Sequence, residues 1–309
     1  MINQDFKSIL DLLKAFPDEQ SCIDHLTELR WGGEVVSPFD PSSKVYVCKG
    51  NKYRCKNTGK YFNVKTDTLF DNSKVKLQKW FLAIWIVTSH KKGISSVQLS
   101  KDIDVTQKTA WFMLQRIRNC FGIDNDTTLD NEVEVDETYV GGETKNKSIR
   151  KRIDIHKHGV QTGMNDKAPV LGMIERGGNV RAMVIEKSNG KVIKPLLNLN
   201  IKPSAHVITD GFGAYSGINK KFFHHSVINH NLGQYVNGRV HTNTIEGFWS
   251  LLKRGILGIY HFTSKKHLQK YVDEFVFRYN SREASEAERF NMMLANTQHR
   301  LTYIELINE

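Results

Sequence analysis

The spacing of hydrophobic residues predicts that the first part of the chain is helical apart from three short strands. Apolar positions three and four residues apart predict helices between Asp5 and Leu29, with a break at Pro17. The alternating stretches that follow predict three strands, at Lys44–Cys48, Asn51–Cys55 and Lys60–Val64. Strands this short cannot hold a core without other elements.

Helical periodicity returns at Trp80 and leads into the pattern of a helix-turn-helix. A short helix that stops at Asp104 is followed by a longer helix from Val105 to Arg118. In a helix-turn-helix, the second helix enters the major groove of DNA. Three polar or basic residues of this second helix are therefore predicted to contact DNA: Gln107, Lys108 and Arg116. A helical hairpin that serves only packing has a similar pattern, and the pattern alone leaves that alternative open.

From Asn131 onwards the periodicity changes to two residues and predicts a mixed α/β domain. Strands are predicted at Val133–Val140, Pro169–Glu175 and Asn179–Glu186, with a tight Gly-Gly turn between the last two. A helix at residues 191–199, a strand at residues 204–210 and helices at residues 243–257 and 265–279 complete the domain. This order predicts a mixed sheet with helices on its faces.

The positive charge of the chain is concentrated in one segment. The chain has 309 residues and a net charge of +11, from 44 Lys and Arg against 33 Asp and Glu. Between Lys44 and Arg118 there are 16 basic and 4 acidic residues, so this segment carries the whole excess. A localised excess is typical of a protein that binds a polyanion, because each neutralised phosphate releases condensed counterions. A solvated lysine-rich surface is the alternative.

Neither a membrane span nor a signal peptide is predicted. The longest apolar run, Trp80–Thr88, is less than half as long as the roughly 20 residues that a span needs. The polar start of the chain does not resemble a signal peptide. The four cysteines are scattered without a paired framework and are expected to stay reduced. We therefore expect a soluble intracellular protein.

Three acidic residues of the predicted α/β domain can converge although they are far apart in the sequence. Asp136 lies in the first strand, Asp210 ends a later strand, and Glu246 falls in the first turn of the following helix. Clustered carboxylates repel one another unless a cation lies among them, which indicates a hard divalent metal. Two such metals support cleavage of a phosphodiester. The alternative for each acid, taken alone, is an ordinary surface carboxylate.

The helix that carries Glu246 also offers a cation. Lys253 follows Glu246 by two helical turns on the same face, where it could contact a phosphate backbone held over the metals. An ordinary surface lysine is the alternative. Asn243 lies one turn before Glu246 and could cap the helix.

Several strings of residues resemble those of one protein family. They are Val135–Gly142 (VDETYVGG), Thr209–Gly211 (TDG), Asn243–Gly255 (NTIEGFWSLLKRG), parts of Tyr260–Arg282, and upstream Lys92–Leu99 and Thr109–Arg118. Over roughly residues 30–282 the chain resembles DDE transposases of the ISXO-type insertion-sequence family, which is related to the eukaryotic Merlin elements.

The resemblance implies an RNase H-like catalytic domain and a set of site residues. It implies that Asp136, Asp210 and Glu246 are catalytic and hold Mg²⁺ or Mn²⁺, and that Lys253 contacts DNA. We expect the adjacent Arg254 to contact DNA as well. Asn243 is a weaker candidate for the third ligand. The implied location is the cytoplasm of a bacterium, in association with the nucleoid.

One feature of the family is degenerate in this chain. Such transposases typically carry a zinc ribbon with two Cys-x-x-Cys pairs, which align here with Ser37–Asp40 and Cys55–Thr58. Only Cys55 is left of the four thiols, whereas structural zinc needs four ligands. We therefore do not expect bound zinc, and we expect the strands to be held by aromatic residues instead: Tyr46, Tyr53, Tyr61 and Phe62.

These expectations combine into an α/β protein with five segments. They are an N-terminal helical segment (1–30), a degenerate zinc-ribbon-like β region (31–75), a helix-turn-helix region (76–122), an RNase H-like DDE catalytic domain (130–285) and a C-terminal helical tail (286–309).

The expected function is that of an insertion-sequence transposase. It would bind the terminal inverted repeats of its element as a homodimer or higher oligomer, cleave the DNA there, and join the freed 3′ hydroxyls to target DNA. Two alternatives are a catalytically silent DNA-binding regulator or transposase remnant, and an RNase H-like nuclease or resolvase that acts on branched DNA.

Overall fold

A computed structural model of the protein describes residues 6–122, 128–141, 149–150, 153, 167–218, 222, 224–228 and 240–308. The chain divides into two compact units. Unit 1 comprises residues 1–123 and 283–309, and unit 2 comprises residues 124–282. None of the helices in the described ranges is long and apolar enough to cross a membrane.

Helices and strands are numbered in chain order. The helices are α1 (Ile9–Ala15), α2 (Glu19–Trp31), α3 (Leu77–Ser89), α4 (Ser96–Asp102), α5 (Gln107–Asn119), α6 (Gly190–Asn200), α7 (Asn243–Gly255), α8 (Leu268–Asn280), α9 (Glu286–Ala295) and α10 (Tyr303–Asn308). The strands are β1 (Val45–Cys48), β2 (Lys52–Cys55), β3 (Tyr61–Phe62), β4 (Glu132–Val140), β5 (Ala168–Glu175), β6 (Val180–Val184), β7 (His206–Asp210) and β8 (His224–Ile228).

The two N-terminal helices form on either side of Pro17, as predicted. Ser8 caps α1 by accepting a hydrogen bond from the backbone N–H of Asp11. Asp18 and Ser21 form a capping box at the start of α2. Because proline cannot donate a backbone hydrogen bond, the first helix ends before Pro17 and the second begins after the cap at Asp18.

The predicted short strands form an antiparallel three-stranded sheet in unit 1. One face of this sheet packs on Trp31, whose ring centroid lies 5.4 Å from that of Tyr53 and 6.2 Å from that of Phe62. Tyr46 and Tyr61 lie on the opposite face and are 42% and 61% exposed. The expectation that all four aromatic residues hold the strands is therefore wrong for Tyr46 and Tyr61, because strand side chains alternate between two faces.

The positions that align with the zinc ligands of the family surround a buried thiol. Cys55 is fully buried. Burial raises the pKa of its thiol, but hydrogen bonding by Ser37, Ser43 and Thr58 outweighs this effect and lowers the pKa to about 6. A ring of hydroxyls differs in chemistry from the thiolates and imidazoles that form structural zinc sites. That the chain binds no zinc stays a prediction.

The core of unit 1 is built around α3, which is buried along most of its length. Phe81 and Trp85 of α3 lie with their ring centroids 5.5 and 6.3 Å from that of Phe290 in α9. The predicted C-terminal tail therefore contributes to this core. Sequence periodicity gave no sign of it, because the contact joins segments that are far apart in the chain.

Helices α4 and α5 lie where the sequence predicts a helix, a turn and a second helix. Asp104 in the turn has a positive φ of 50°. Ser95 and Thr106 cap α4 and α5 by accepting backbone hydrogen bonds from the first turn of each helix. Gln107 and Lys108, at the start of α5, are exposed.

Arg116 is buried, and this corrects its prediction as a DNA contact. The residue is 6% exposed. Its guanidinium donates hydrogen bonds to the backbone carbonyl oxygens of Leu301, Leu69 and Asp71, at 2.9, 2.8 and 2.8 Å. A guanidinium held by three carbonyls inside unit 1 cannot bind a phosphate at the surface. Helical periodicity could not reveal this, because distant segments cover the polar side of α5.

Unit 2 contains a five-stranded mixed sheet in the order β6-β5-β4-β7-β8. Strands β4, β5 and β6 are antiparallel neighbours, whereas β7 is parallel to β4 and β8 is parallel to β7. The mixed sheet confirms the predicted α/β class and is compatible with an RNase H-like domain. Strand β8 was not predicted, since its sequence His-His-Ser-Val-Ile lacks a clear alternation.

The two faces of this sheet have separate cores. Val133 and Val135 of β4 pack on one face with Ile193 and Leu197 of α6. The other face is covered by α7 and α8. The main members of the core on this face are Val170, Ile174, Ile245, Phe248, Leu252, Val272 and Phe275. The alternation of strand residues therefore decides which side chains of β4 meet α7.

Candidate active site

Asp136 and Asp210 occupy neighbouring positions on adjacent parallel strands. The pairing of β4 with β7 ends with Val135 opposite Thr209, so Asp136 and Asp210 are the next residues along each strand. Since alternate residues face opposite sides, both acids belong to the face of the sheet that α7 covers. The predicted convergence of these two residues is therefore present in the fold.

Asp136 is held by a tryptophan from α7. The indole Nε1 of Trp249 donates a hydrogen bond of 2.9 Å to Oδ2 of Asp136. Gly172 of β5 lies directly opposite Asp136 in the sheet. A Cβ atom at Gly172 would lie 2.4 Å from Cζ2 of Trp249, so the absence of a side chain there allows the ring to reach across the sheet.

Asp136 lies close to other carboxylates of β4 and β7, and their charges affect its pKa. Burial, and next the negative charge of Glu137, raise the pKa of Asp136 to about 7, with a further contribution from Asp210, while the Trp249 hydrogen bond opposes the rise. Asp210 accepts a hydrogen bond of 2.9 Å from the backbone N–H of Phe212. A proton or a cation at Asp136 would relieve this repulsion.

Glu246 shares an open cleft with Asp136. The cleft has a volume of about 830 Å³ and is lined by residues from β4 and from α7 and the turn that follows it: Asp136, Glu137, Thr138, Glu246, Trp249, Ser250, Lys253, Arg254, Leu257 and Gly258. Lys253 and Arg254 are exposed at its rim. The predicted helix face, with an acid and a cation two turns apart, therefore opens onto the same cleft as Asp136.

The three predicted ligands are not yet arranged as a compact metal site. Glu246 accepts a hydrogen bond of 3.2 Å from the hydroxyl of Thr242, and Asp210 does not line the cleft. Across the part of the chain that the structure describes, no three His, Cys, Asp or Glu residues are grouped so that they could hold a metal ion. The fold thus brings Asp136 next to Asp210 and next to the cleft of Glu246, without a preformed triad.

Comparison with known proteins bears on this geometry. Residues 128–280, which lie within unit 2, match the family model described as the ISXO2-like transposase domain. The chain is also 33% identical over 288 residues to an uncharacterized protein in transposable element ISH50 of Halobacterium salinarum (strain ATCC 700922 / JCM 11081 / NRC-1). That match covers 88% of this chain and 96% of the relative. The chain belongs to the ISXO2-like transposase family.

In this family member, Glu137 contributes to the lining of the cleft, but its carboxylate is held by a residue on the α6 side of the sheet. Its neighbours in β4 alternate, so its side chain lies on the α6 face, where the hydroxyl of Tyr215 donates a hydrogen bond to its carboxylate. Burial raises the pKa of Glu137, and Asp210 adds to the rise while Tyr215 opposes it. The charge of Glu137 therefore acts on Asp136, but its side chain is poorly placed to replace Glu246 as the third metal ligand.

A further acid of β4, Glu134, was not singled out from the sequence. It is fully buried, and its Oε2 accepts hydrogen bonds of 2.9 and 3.0 Å from the backbone N–H groups of Thr244 and Ile245. These are orphan donors of the first turn of α7. Asn243 was expected as a possible cap, but the helix begins at Asn243 itself and Glu134 supplies the capping carboxylate.

An arginine completes this anchor of α7. Nε of Arg176 lies 2.6 Å from Oε1 of Glu134, and its Nη1 lies 3.0 Å from Glu132. Its Nη2 donates a hydrogen bond of 2.8 Å to the backbone oxygen of His241, just ahead of α7. The only available signal in the sequence was a charged residue at an inward position of a strand, which usually requires a buried partner.

Proposed function

We propose that this chain is an insertion-sequence transposase of the DDE type, with an RNase H-like catalytic domain. The observation that carries the proposal is the cleft of unit 2, where Asp136 of β4 and Glu246 of α7 meet the exposed cations Lys253 and Arg254. Asp210 ends the strand next to Asp136. Carboxylates and cations around one open cleft suit a reaction on the phosphodiester backbone of DNA.

The donor set fits Mg²⁺ or Mn²⁺, which prefer carboxylate oxygens. Asp136, Asp210 and Glu246 would hold the ions. Burial is the main cause of the raised pKa of Asp136, and the neighbouring negative charge that adds to it is what a cation would offset. When bound, two such ions would activate the attacking oxygen and stabilise the leaving oxygen of the phosphodiester. Trp249 would keep Oδ2 of Asp136 oriented, and Lys253 and Arg254 would hold the DNA backbone by contacts to its phosphates.

The proposed reaction has two steps. Water first attacks the phosphorus at the end of the element, which breaks the bond to the 3′ oxygen and frees a 3′ hydroxyl. That hydroxyl then attacks a phosphodiester of target DNA, so that a new bond replaces the one broken there. Because the two element ends must be processed together, we propose that a homodimer or higher oligomer acts on the DNA.

Recognition of the element ends is assigned to unit 1. Its segment from Lys44 to Arg118 holds 16 basic and 4 acidic residues, and Gln107 and Lys108 are exposed at the start of α5. We propose that α4 and α5 act as a helix-turn-helix, with α5 as the recognition helix. Phosphate contacts by the lysines would supply most of the affinity and make it depend on salt.

The test is a cleavage assay with the purified full chain, Mg²⁺ or Mn²⁺, and a labelled duplex carrying an end of its own insertion element. We expect a nick at the element boundary, which Asp210→Asn and Glu246→Gln abolish while duplex binding persists. Glu186→Gln, an exposed acid of the same unit, is the matched control and should cleave normally.

Other outcomes would identify the alternatives. Binding without any nick in either metal would indicate a DNA-binding regulator or an inactive remnant. Preferential cleavage of four-way junctions would indicate a nuclease or resolvase. Loss of cleavage in Asn243→Ala together with normal cleavage by Glu246→Gln would assign the third ligand to Asn243.

A further inference from the structure

One face of the small sheet in unit 1 carries a row of aromatic and cationic side chains. Tyr46 pairs directly with Arg54 across β1 and β2, and Arg54 pairs with Tyr61 across β2 and β3. The three side chains therefore lie side by side on one face, with Lys52 two positions along β2 on the same side. All four residues are exposed. We call this row the Tyr46 face.

Among the residues that the structure describes, the packing of the small sheet does not account for the tyrosines of the Tyr46 face. The opposite face of the sheet provides the packing, through Tyr53 and Phe62 against Trp31. Within the described ranges, neither Tyr46 nor Tyr61 has a ring contact with another aromatic residue, and they remain 42% and 61% exposed. Large exposed aromatic side chains grouped on one surface indicate binding.

The charged residues of the segment that forms this sheet are all basic. From Pro41 to Thr66 the chain has seven basic residues and no acidic residue. Nζ of Lys44 lies 5.8 Å from the ring centroid of Tyr46, and the guanidinium carbon of Arg54 lies 5.8 Å from that of Tyr61. Each tyrosine thus has a cation beside its ring. A ligand of this surface should combine negative charge with flat rings.

We propose that the Tyr46 face binds single-stranded DNA, with unpaired bases stacked on Tyr46 and Tyr61 and phosphates held by Arg54 and the neighbouring lysines. Exposed aromatic residues set in a basic sheet surface are how proteins bind single strands, because every base has a flat face to stack. In a duplex those faces are covered by neighbouring base pairs, so duplex DNA could use only the cations.

This assignment rests on the proposed function for the source of the strand, which would be unpaired DNA near an element end or target site. The binding itself can be tested without cleavage. The experiment measures the affinity of the full chain, in EDTA, for a short fluorescein-labelled oligothymidine and for a labelled duplex, by fluorescence anisotropy at fixed salt.

We expect Tyr46→Ala and Tyr61→Ala each to weaken oligothymidine binding roughly fivefold or more. Tyr46→Phe and Tyr61→Phe keep the ring and should bind as the unaltered chain does. Arg54→Lys keeps the charge and should lose less than the alanine variants. Tyr303→Ala removes an exposed tyrosine elsewhere in unit 1 and is the matched control. Duplex binding should change little in any of the tyrosine variants.

Two results would overturn the assignment. One is a Tyr46→Ala, Tyr61→Ala double variant that binds oligothymidine as tightly as the unaltered chain. The other is an equal loss of affinity for duplex and single strand, which would make the face a duplex contact. A chain that binds oligothymidine through this face but never nicks an element end would contradict the proposed function and leave this assignment standing.

Discussion

Gly172 is the position where one added methyl group should disturb the candidate site most directly. In Gly172→Ala the new Cβ would lie 2.4 Å from Cζ2 and 2.5 Å from Cη2 of Trp249, and 2.9 Å from Cδ1 of Ile245. The ring must withdraw by about 1 Å to regain an ordinary contact of about 3.5 Å. Trp249 is only 4% exposed, so the surrounding core must shift with it.

The expected loss of stability follows from these contacts. Overpacking of a core costs about 1–3 kcal/mol, and breaking the Trp249 hydrogen bond to Asp136 adds about 1.5–3 kcal/mol if it is lost completely. The reduced freedom of alanine in the unfolded chain offsets about 0.4–1 kcal/mol. We expect the hydrogen bond from Trp249 to Asp136 to be weakened and not broken. The net destabilisation should therefore be about 2–4 kcal/mol.

The assay is urea unfolding in EDTA. Unfolding is detected by hydrogen exchange of peptides from β4 and β5, so that unit 2 is observed by itself. Gly247→Ala is the matched control, since a Cβ there meets nothing within 4 Å on the exposed side of α7. It should stabilise the helix by about 0.5–1 kcal/mol. If Gly172→Ala unfolds at the same or higher urea than the unaltered chain, the tight contact between Gly172 and Trp249 does not exist as described.

The remaining predictions concern charge and metal. The pKa of Asp136 is raised from 3.8 to about 7. Protonation of this carboxyl therefore stabilises the metal-free fold at low pH, and that contribution is lost as the pH rises from 3.8 through about 7. Thermal melts should show that Asp136→Asn is less sensitive to pH over this range and gains less from Mg²⁺ at pH 8. Glu134→Gln should destabilise unit 2 by about 3 kcal/mol in urea unfolding, since it breaks a buried ion pair and the anchor of α7; unchanged stability would contradict that role. Lys108→Ala should weaken duplex binding without changing the melting temperature, whereas Arg116→Ala should lower stability by about 3 kcal/mol; the reverse pattern would restore Arg116 as a DNA contact. Elemental analysis should find well under one zinc per chain, and stoichiometric zinc would show that the hydroxyls around Cys55 are not the whole site.

Local patterns in the sequence were sufficient for most of the elements and for the acids of the site. Apolar positions three and four residues apart indicated the helices, and the change to a two-residue period located β4 and β5. Asp136 and Asp210 could be expected to converge because strands of one sheet can meet whatever their separation in the chain, whereas their neighbouring positions follow from the register of β4 and β7. These features depend on interactions within a few residues or on rules that hold for every sheet.

The tertiary structure alone decided which polar side chains are free to act. Periodicity makes Arg116 and Lys108 look alike, yet contacts with Leu69 and Leu301 enclose Arg116, whereas Lys108 is exposed. The same pattern cannot tell that Glu134 caps α7 from across the sheet, or that only one face of the small sheet is covered by Trp31. Burial is set by contacts between residues far apart in the chain, and a one-dimensional pattern contains no record of which segments those are.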